Sequence, residues 1–345
     1  MKIIVDAMGG DNAPQAPVLG AIQANKEYGV DITLVGRGED ILKVLADNGI
    51  ADLPAGVEIA HASEVVEMCD NPATAFREKK DSSLTVGLNL LKEGKGDAFV
   101  SVGSTGALLA AATLIVKRIK GIRRAAMAPV VPTGNGGAVL IDCGATAECT
   151  PEYLLQFAFM GSYYAERVMG RPEPRVGLLN IGAEESKGTD LQRETHALLT
   201  EADKAGRIHF VGNVEAREAV YGQVDVIVSD GYSGNIFLKT MEGTGGYMAK
   251  QLKAMFTKNI FTKLAAVLVA DGIRSLKKSM DAGEVGGTAL LGISRPVIKA
   301  HGSSDDFAIK NAIRQAQTFA ASGIIDDITE NIDHMKLPSD KVEKI

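Results

Sequence analysis

The residues best suited to chemistry stand in short turns between apolar runs. From Asp97 to Lys120 the chain reads DAFVSVGSTGALLAAATLIVKRIK. Ala98 to Val102 reads as a buried strand, Gly103, Ser104, Thr105 and Gly106 as a turn, and an apolar helix begins near Ala107. A strand, a Gly/Ser/Thr turn and a helix N-terminus together make an anion site. Backbone N–H groups point outward, the helix dipole favours negative charge, and glycine lets a ligand approach the main chain. The chemistry this suits is phosphate binding; the competing reading is a tight turn with no ligand.

Other candidates have the same setting. Lys187 follows Glu184, Glu185 and Ser186 just past a strand. It suits neutralising phosphate or oxyanion charge, or is an ordinary surface lysine beside two glutamates. Asn180, Asn213 and Asn235 are amides at strand or loop ends that can donate to a carbonyl oxygen, or simply tolerate the left-handed backbone of turns. His301 precedes Gly302, Ser303 and Ser304 at the start of the last helix. It can protonate a leaving thiol or contact phosphate, or satisfy a local hydrogen bond. Asp6 and Asp11 flank Gly9 and Gly10. A carboxylate repels phosphate, so these two are expected to orient backbone N–H groups or a lysine.

The elements that must position these residues alternate along the chain. Strands are expected at 2–6, 32–36, 57–62, 98–102, 127–131, 138–142, 175–180, 208–212, 224–230 and 297–301. Helices are expected at about 14–28, up to 45, 151–169 and 305–322, with Asn71 and Ser82 as N-caps. Such alternation predicts an α/β fold, a mostly parallel sheet covered by helices on both faces. The strands end in small polar turns, among them Asp6–Asp11, Gly103–Gly106, Asp142–Gly144, Asn180–Gly182, Gly212–Asn213, Asp230–Gly231 and His301–Ser303. In a parallel sheet these share the carboxyl edge, where ligands bind. Gly234 falls just beyond one such turn. No repeat or Pro/Ser-rich linker divides the chain, and the tail after Asp326 is expected to be frayed or helical.

Composition narrows the function. With 46% apolar residues the 345-residue chain can bury a sizeable core, and a net charge of −6 argues against nucleic-acid binding. Cys69, Cys143 and Cys149 are too scattered for a disulfide framework or zinc site, which favours a reduced, cytoplasmic setting. No signal peptide and no run long enough to span a bilayer are read at this level.

With those turns in view, the sequence closely resembles the PlsX-type phosphate acyltransferases of bacterial phospholipid synthesis. The matching segments are VDAMGGDNAP (5–14), SVGSTGA (101–107), NIGAEESKG (180–188), FVGNVEAR (210–217), SDGYSGN (229–235) and VIKAHGSSD (297–305), in order along nearly the whole chain. The resemblance implies a three-layer α/β/α sandwich similar to phosphotransacetylases and to isocitrate/isopropylmalate dehydrogenases. It implies a homodimer, loosely membrane-associated, that moves an acyl group from acyl-carrier protein to inorganic phosphate. One departure is GATAE (144–148), where Thr146 stands in place of the family's usual Asn.

That reaction needs little from a protein nucleophile. Phosphate is already anionic, a thiol with a pKa near 8.5 leaves readily, and fixed N–H donors stabilise the tetrahedral oxyanion. No metal or cofactor is therefore expected. Lys187, Asn180, Asn235 and His301 are the candidate catalytic residues, and Gly103–Gly106 the phosphate cradle. Asp6, Gly9, Gly10, Asp11, Asn213, Asp230, Gly231, Gly234, Gly302 and Ser303 are expected to line the cleft. A phosphotransacetylase acting on coenzyme A thioesters, a dehydrogenase on a similar fold and a membrane scaffold stay as alternatives.

Two stretches concern partners. Lys117, Arg118, Lys120, Arg123 and Arg124 form a basic patch suited to an acidic acyl-carrier protein, or a solvated helix end. In 248–278 an apolar stripe, including Phe256, Ile260, Leu264 and Leu268, recurs at helical spacing beside Phe261, with lysines off it. A core or dimer face reads the same way. With the resemblance, an excursion over about 240–282 is expected to form a helical hairpin that touches membrane and contributes to the dimer.

Overall fold

The computed structural model describes residues 1–274 and 286–336. Its strands are β1 (Lys2–Asp6), β2 (Asp31–Gly36), β3 (Val57–His61), β4 (Ala98–Ser101), β5 (Ala126–Ala128) and β6 (Val130–Val131). They continue with β7 (Ala138–Ile141), β8 (Arg175–Asn180), β9 (His209–Glu215), β10 (Val226–Val228), β11 (Thr288–Leu291) and β12 (Val297–Lys299). The expected α/β class holds, but the strands divide into two sheets, β3-β2-β1-β4-β12-β11-β5 and β6-β7-β10-β8-β9. Pro129 is the physical reason at the junction. It lacks an N–H, interrupts the edge strand, and lets β5 end one sheet while β6 begins the other.

The inner strands of each sheet are buried on both faces, which is why they read as continuous apolar runs. Ile3 and Val5 of β1 pack with Val18, Ala21 and Ile309 on one face. Ile4 turns the other way, into a cluster with Phe99, Leu84 and Leu88. Each such fully buried side chain contributes about 1.5–3 kcal/mol. The largest apolar cluster crosses from the first sheet to the second, joining Val100 to Ile141, Phe157 and Val226. Tyr164 and Phe319 meet edge-on there, with ring centroids 6.0 Å apart.

Strand directions orient the two sheets. β5 is antiparallel to β11, which is antiparallel to β12, so β5 points the same way as β12, β4 and β1. The chain continues through Pro129 into β6, and β7 runs back against it, parallel to β10 and in register with it. β8 and β9 follow in the same sense. The second parallel block thus starts beyond the carboxyl edge of the first and returns toward it. The polar turns therefore lie on two opposed rims instead of the single edge expected.

Several local expectations are corrected. Asn71 caps no helix; its Oδ1 accepts the Ala73 N–H at 3.0 Å, and Thr74 precedes the helix Ala75–Glu78. Ser82 does cap Ser83–Lys92. β9 extends through Asn213, which therefore sits inside a strand. The segment after Asp326 takes the helical form, one of the two expected, as far as it is described, with Ile328 and Met335 buried. β11, antiparallel and short, carries no sequence signal distinguishing it from its neighbours.

The stretch expected to form the excursion is helical and is described to residue 274; 275–282 lie outside the described residues. A 27-residue helix, Gly231–Thr257, leaves the second rim and is followed by Ile260–Leu268, capped by Asn259 through a 3.0 Å bond from the Thr262 N–H. Beyond Phe237 the long helix buries no residue fully, and Ile260–Leu268 buries none. Phe256 is half-buried, while Ile260, Phe261, Leu264 and Leu268 are exposed, Leu268 to 87%. Among the described residues, no helix is long and apolar enough to cross a membrane.

Candidate active site

The first rim gathers the ends of β1, β4 and β12. Asp6, 2% exposed, accepts N–H bonds from Met8 and Gly9 at 3.1 Å and the Ser101 hydroxyl at 2.7 Å. Ser101 Oγ in turn accepts the Gly103 N–H at 3.1 Å. Asp6 thus orients backbone donors, as its position between glycine turns suggested. Gly9 is needed because a Cβ there would lie 2.7 Å from Gly103 N. Gly10 adopts φ +95°, and a Cβ on it would meet Val102 at 2.6 Å. The loop is closed on the β12 side by the Asp11 N–H donating to Gly302 O at 2.9 Å, and by Asn12 Nδ2 to the carbonyls of Ser303 and Ser304.

In the cradle one expected donor is already taken, since the Gly103 N–H belongs to Ser101. The open donors are those of the first helical turn. Thr105, Gly106 and Ala107 precede the first intrahelical bond, Leu108 N–H to Ser104 O at 2.9 Å. The Ser104 hydroxyl caps nothing, and Ser104, Thr105 and Gly106 are all partly exposed. His301 is exposed, and its Nδ1 accepts the Ser303 N–H at 3.3 Å. The Ser303 hydroxyl lies 2.9 Å from the same nitrogen, and a ring that accepts at Nδ1 carries its N–H at Nε2, where it can donate a hydrogen bond.

The second rim gathers β7, β8, β9 and β10. Asp142, fully buried at the end of β7, accepts N–H bonds from Met127 at 2.9 Å, Ala145 at 2.9 Å and Thr146 at 2.7 Å. Burial raises its carboxyl pKa against the opposing pull of those bonds. Asp142 thereby ties the β7 turn to β5 of the other sheet. Thr146 serves through its backbone, accepting the Gly231 N–H at 2.9 Å. Asp230 caps the long helix, its Oδ1 accepting the Ser233 N–H at 2.8 Å. Gly234 packs so closely that a Cβ would lie 2.0 Å from the Asp142 carbonyl oxygen. Asn235 is exposed in this first part of the helix, facing Gly144.

The loop after β8 presents Lys187. Asn180 Nδ2 donates to Lys187 O at 3.2 Å and Asn180 Oδ1 accepts the Ile181 N–H at 2.8 Å. Asn213 Nδ2 donates to Glu184 O at 2.8 Å. Each of these two amides thus uses an N–H to hold the loop. The Lys187 stem lies over Gly182, where a Cβ would meet Lys187 Cγ at 3.0 Å, and the residue is exposed.

The structure thus collects Asp6, Gly9, Gly10, Asp11, Gly103–Gly106 and His301–Ser303 on one rim. Asn180, Lys187, Asn213, Asp230, Gly231, Gly234 and Asn235 stand on the other. Sequence reasoning missed Ser101, Asp142 and Lys299. Each sits at the end of an apolar strand, where a lone polar residue was the available signal. The basic patch lies elsewhere. Arg118 pairs with Ile293, and the Ile119 N–H bonds Gly292 O, at the amino edge of the first sheet. Arg123 pairs with Glu152 at 3.1 Å, and Arg124 lies over the Tyr153 ring. A four-residue strand, about 13 Å, separates that edge from the turns.

Two facing rims of glycine turns on paired α/β sheets define a phosphotransacetylase-like fold. The EutD phosphotransacetylase from Staphylococcus aureus superposes with a TM-score of 0.62 at 18% identity, covering 92% of this chain and 94% of that one. A phosphotransacetylase from Streptococcus pyogenes gives 0.61 at 20% identity, covering 92% and 94%. A 4-hydroxythreonine-4-phosphate dehydrogenase from Klebsiella pneumoniae gives 0.53 at 13% identity, covering 93% and 98%. Sequence relationships are closer. The model of the "Fatty acid synthesis protein" family matches residues 1–327. The phosphate acyltransferase of Alkaliphilus oremlandii is 48% identical, over 96% of this chain and 97% of that protein. That of Thermoanaerobacter pseudethanolicus is 45% identical, over 97% and 98%. The chain belongs to the phosphate acyltransferase family and is an acyltransferase.

Proposed function

We propose that the protein transfers a long-chain fatty acyl group from acyl-carrier protein to inorganic phosphate, releasing acyl-phosphate for phospholipid synthesis. The observation that carries this reading is the opposition of the two rims. One presents the N–H groups of Thr105 and Gly106, and the other presents Lys187 and Asn235. Phosphate bound at the first rim attacks the thioester carbonyl carbon. A C–O bond forms, and negative charge moves to the carbonyl oxygen, where the Lys187 ammonium and the Asn235 amide stabilise it. The tetrahedral species then collapses, the C–S bond breaks, and the thiolate takes up the proton that the attacking hydrogen phosphate gives up, with the His301 Nε2–H hydrogen-bonded to the departing sulfur. Preorganised donors of this kind are the largest expected source of rate.

The exposed apolar residues around Phe261 support a surface-bound state, the hairpin resting in a bilayer interface while its flank meets a second copy. Carrier docking at Lys117, Arg118, Lys120, Arg123 and Arg124 requires the acyl arm to cover the length of the strands.

The test is to mix the protein with long-chain acyl-carrier protein and trap acyl-phosphate as a hydroxamate, with and without inorganic phosphate. Phosphate-dependent hydroxamate is expected, and it should fall at least 100-fold in Lys187→Ala. The same assay with acyl-coenzyme A decides the donor, because the structural neighbours include phosphotransacetylases. Hydroxamate formed only from coenzyme A would overturn the carrier-protein reading.

A further inference from the structure

Lys299 ends β12 with 6% of its surface exposed, a rare state for a lysine. Its Nζ donates to Val102 O at 3.3 Å and to Ala300 O. Those two carbonyls belong to the chain just before the Gly103 turn and just before the His301 turn. The ammonium therefore fastens the end of β4 to the end of β12. Two carboxylates act on it electrostatically, Asp6 from β1 and Asp11 from the loop after it. Asp6 reaches the cradle through Ser101, which accepts the Gly103 N–H. The Asp11 backbone N–H bonds Gly302 O, which sets its carboxylate beside the turn after β12.

This arrangement poses a problem that Lys299 answers. An anion held by the first turn of Thr105–Ala111 has two carboxylates nearby, one of them buried, and low-dielectric surroundings strengthen their repulsion. The Asp6 carboxylate is needed where it is, since it orients the Met8 and Gly9 N–H groups. A buried cation at the junction of the same turns lowers their net charge without occupying the ligand space.

We propose that Lys299 is a positioning residue for phosphate: its buried ammonium joins the β4 and β12 turns and offsets the carboxylates of Asp6 and Asp11 beneath the anion. The inference rests on the reading of Gly103–Gly106 as the phosphate cradle. Burial pulls the Lys299 pKa down to about 8 while the two carboxylates pull it up, so the charge persists at neutral pH. The role is one of geometry and charge balance. Lys299 makes no contact with the reacting atoms.

The experiment measures the rise in melting temperature of the full chain with added inorganic phosphate, at matched ionic strength, together with KM for phosphate. The variants are Lys299→Gln, which keeps a donor for the carbonyls, Lys299→Met, and each combined with Asp11→Asn. Wild type should be stabilised by phosphate. Lys299→Gln should need at least tenfold more phosphate for the same rise, with a matching increase in KM and less than a threefold change in KM for the acyl donor. Removing the Asp11 charge should recover at least threefold of that loss, which a purely structural lysine would not allow. Wild-type phosphate dependence in both single variants would overturn the proposal, as would a loss that Asp11→Asn leaves untouched. If wild type itself gives no phosphate response, the cradle reading falls, and this inference with it.

Discussion

Replacing Gly234 by alanine offers the sharpest test of how the second rim is assembled. In Gly231–Thr257 an alanine normally stabilises the helix by up to about 1 kcal/mol relative to glycine. At Gly234 the added Cβ would lie 2.0 Å from the Asp142 carbonyl oxygen. Carbon–oxygen contacts settle near 3.3 Å or more, so the helix start must retreat by about 1 Å. Overpacking of this kind costs about 1–3 kcal/mol, which leaves Gly234→Ala destabilised by up to about 2 kcal/mol once the full helical gain is set against it. The larger effect is on rate. Asn235 moves with the backbone, and about 1 Å of misplacement can cost about 100-fold. Gly243→Ala is the control on the same helix, because nothing lies within 4 Å of the added Cβ. It should gain stability and keep full activity. Urea unfolding and phosphate-dependent thiol release, measured on both variants, check the argument. If Gly234→Ala is as active and as stable as Gly243→Ala, the helix does not press on the β7 turn as described.

Two further outcomes follow from burial and exposure. The Lys299 ammonium is penalised in the folded state, its pKa falling from 10.5 to about 8. The unfolded chain therefore binds more protons between those values, and stability should rise with pH across that window. The ceiling is about 3 kcal/mol, and Lys299→Met should lack this limb when urea unfolding is compared from pH 7.5 to 10.5. At the hairpin, serine at Phe261, Leu264 and Leu268 should weaken sedimentation with anionic lipid vesicles at least tenfold. Thiol release from a soluble acyl donor should stay within twofold, because those side chains are exposed and distant in sequence from both rims.

The chain's own pattern determined most of the elements. Continuous apolar runs such as KIIVD and RVGLLN became strands buried on both faces, and Ser82 and Asp305 capped the helices they precede. The glycine turns were legible because left-handed backbone and close contact leave few alternatives to glycine, as Gly10 shows with its φ of +95° and crowded Cβ position. Tertiary structure alone decided which turns face one another. Nothing local in MAPVV says that Pro129 separates two sheets, or that β7 returns toward the first, since strand direction is set by pairing with distant segments. The roles of single polar residues were decided the same way. Only the folded loop brought the carbonyls of Lys187 and Glu184 to Asn180 and Asn213, and only burial set Lys299 between Val102 and Ala300. A side chain's type fixes what bonds it can make; only the packed chain determines which partners are close enough to take them.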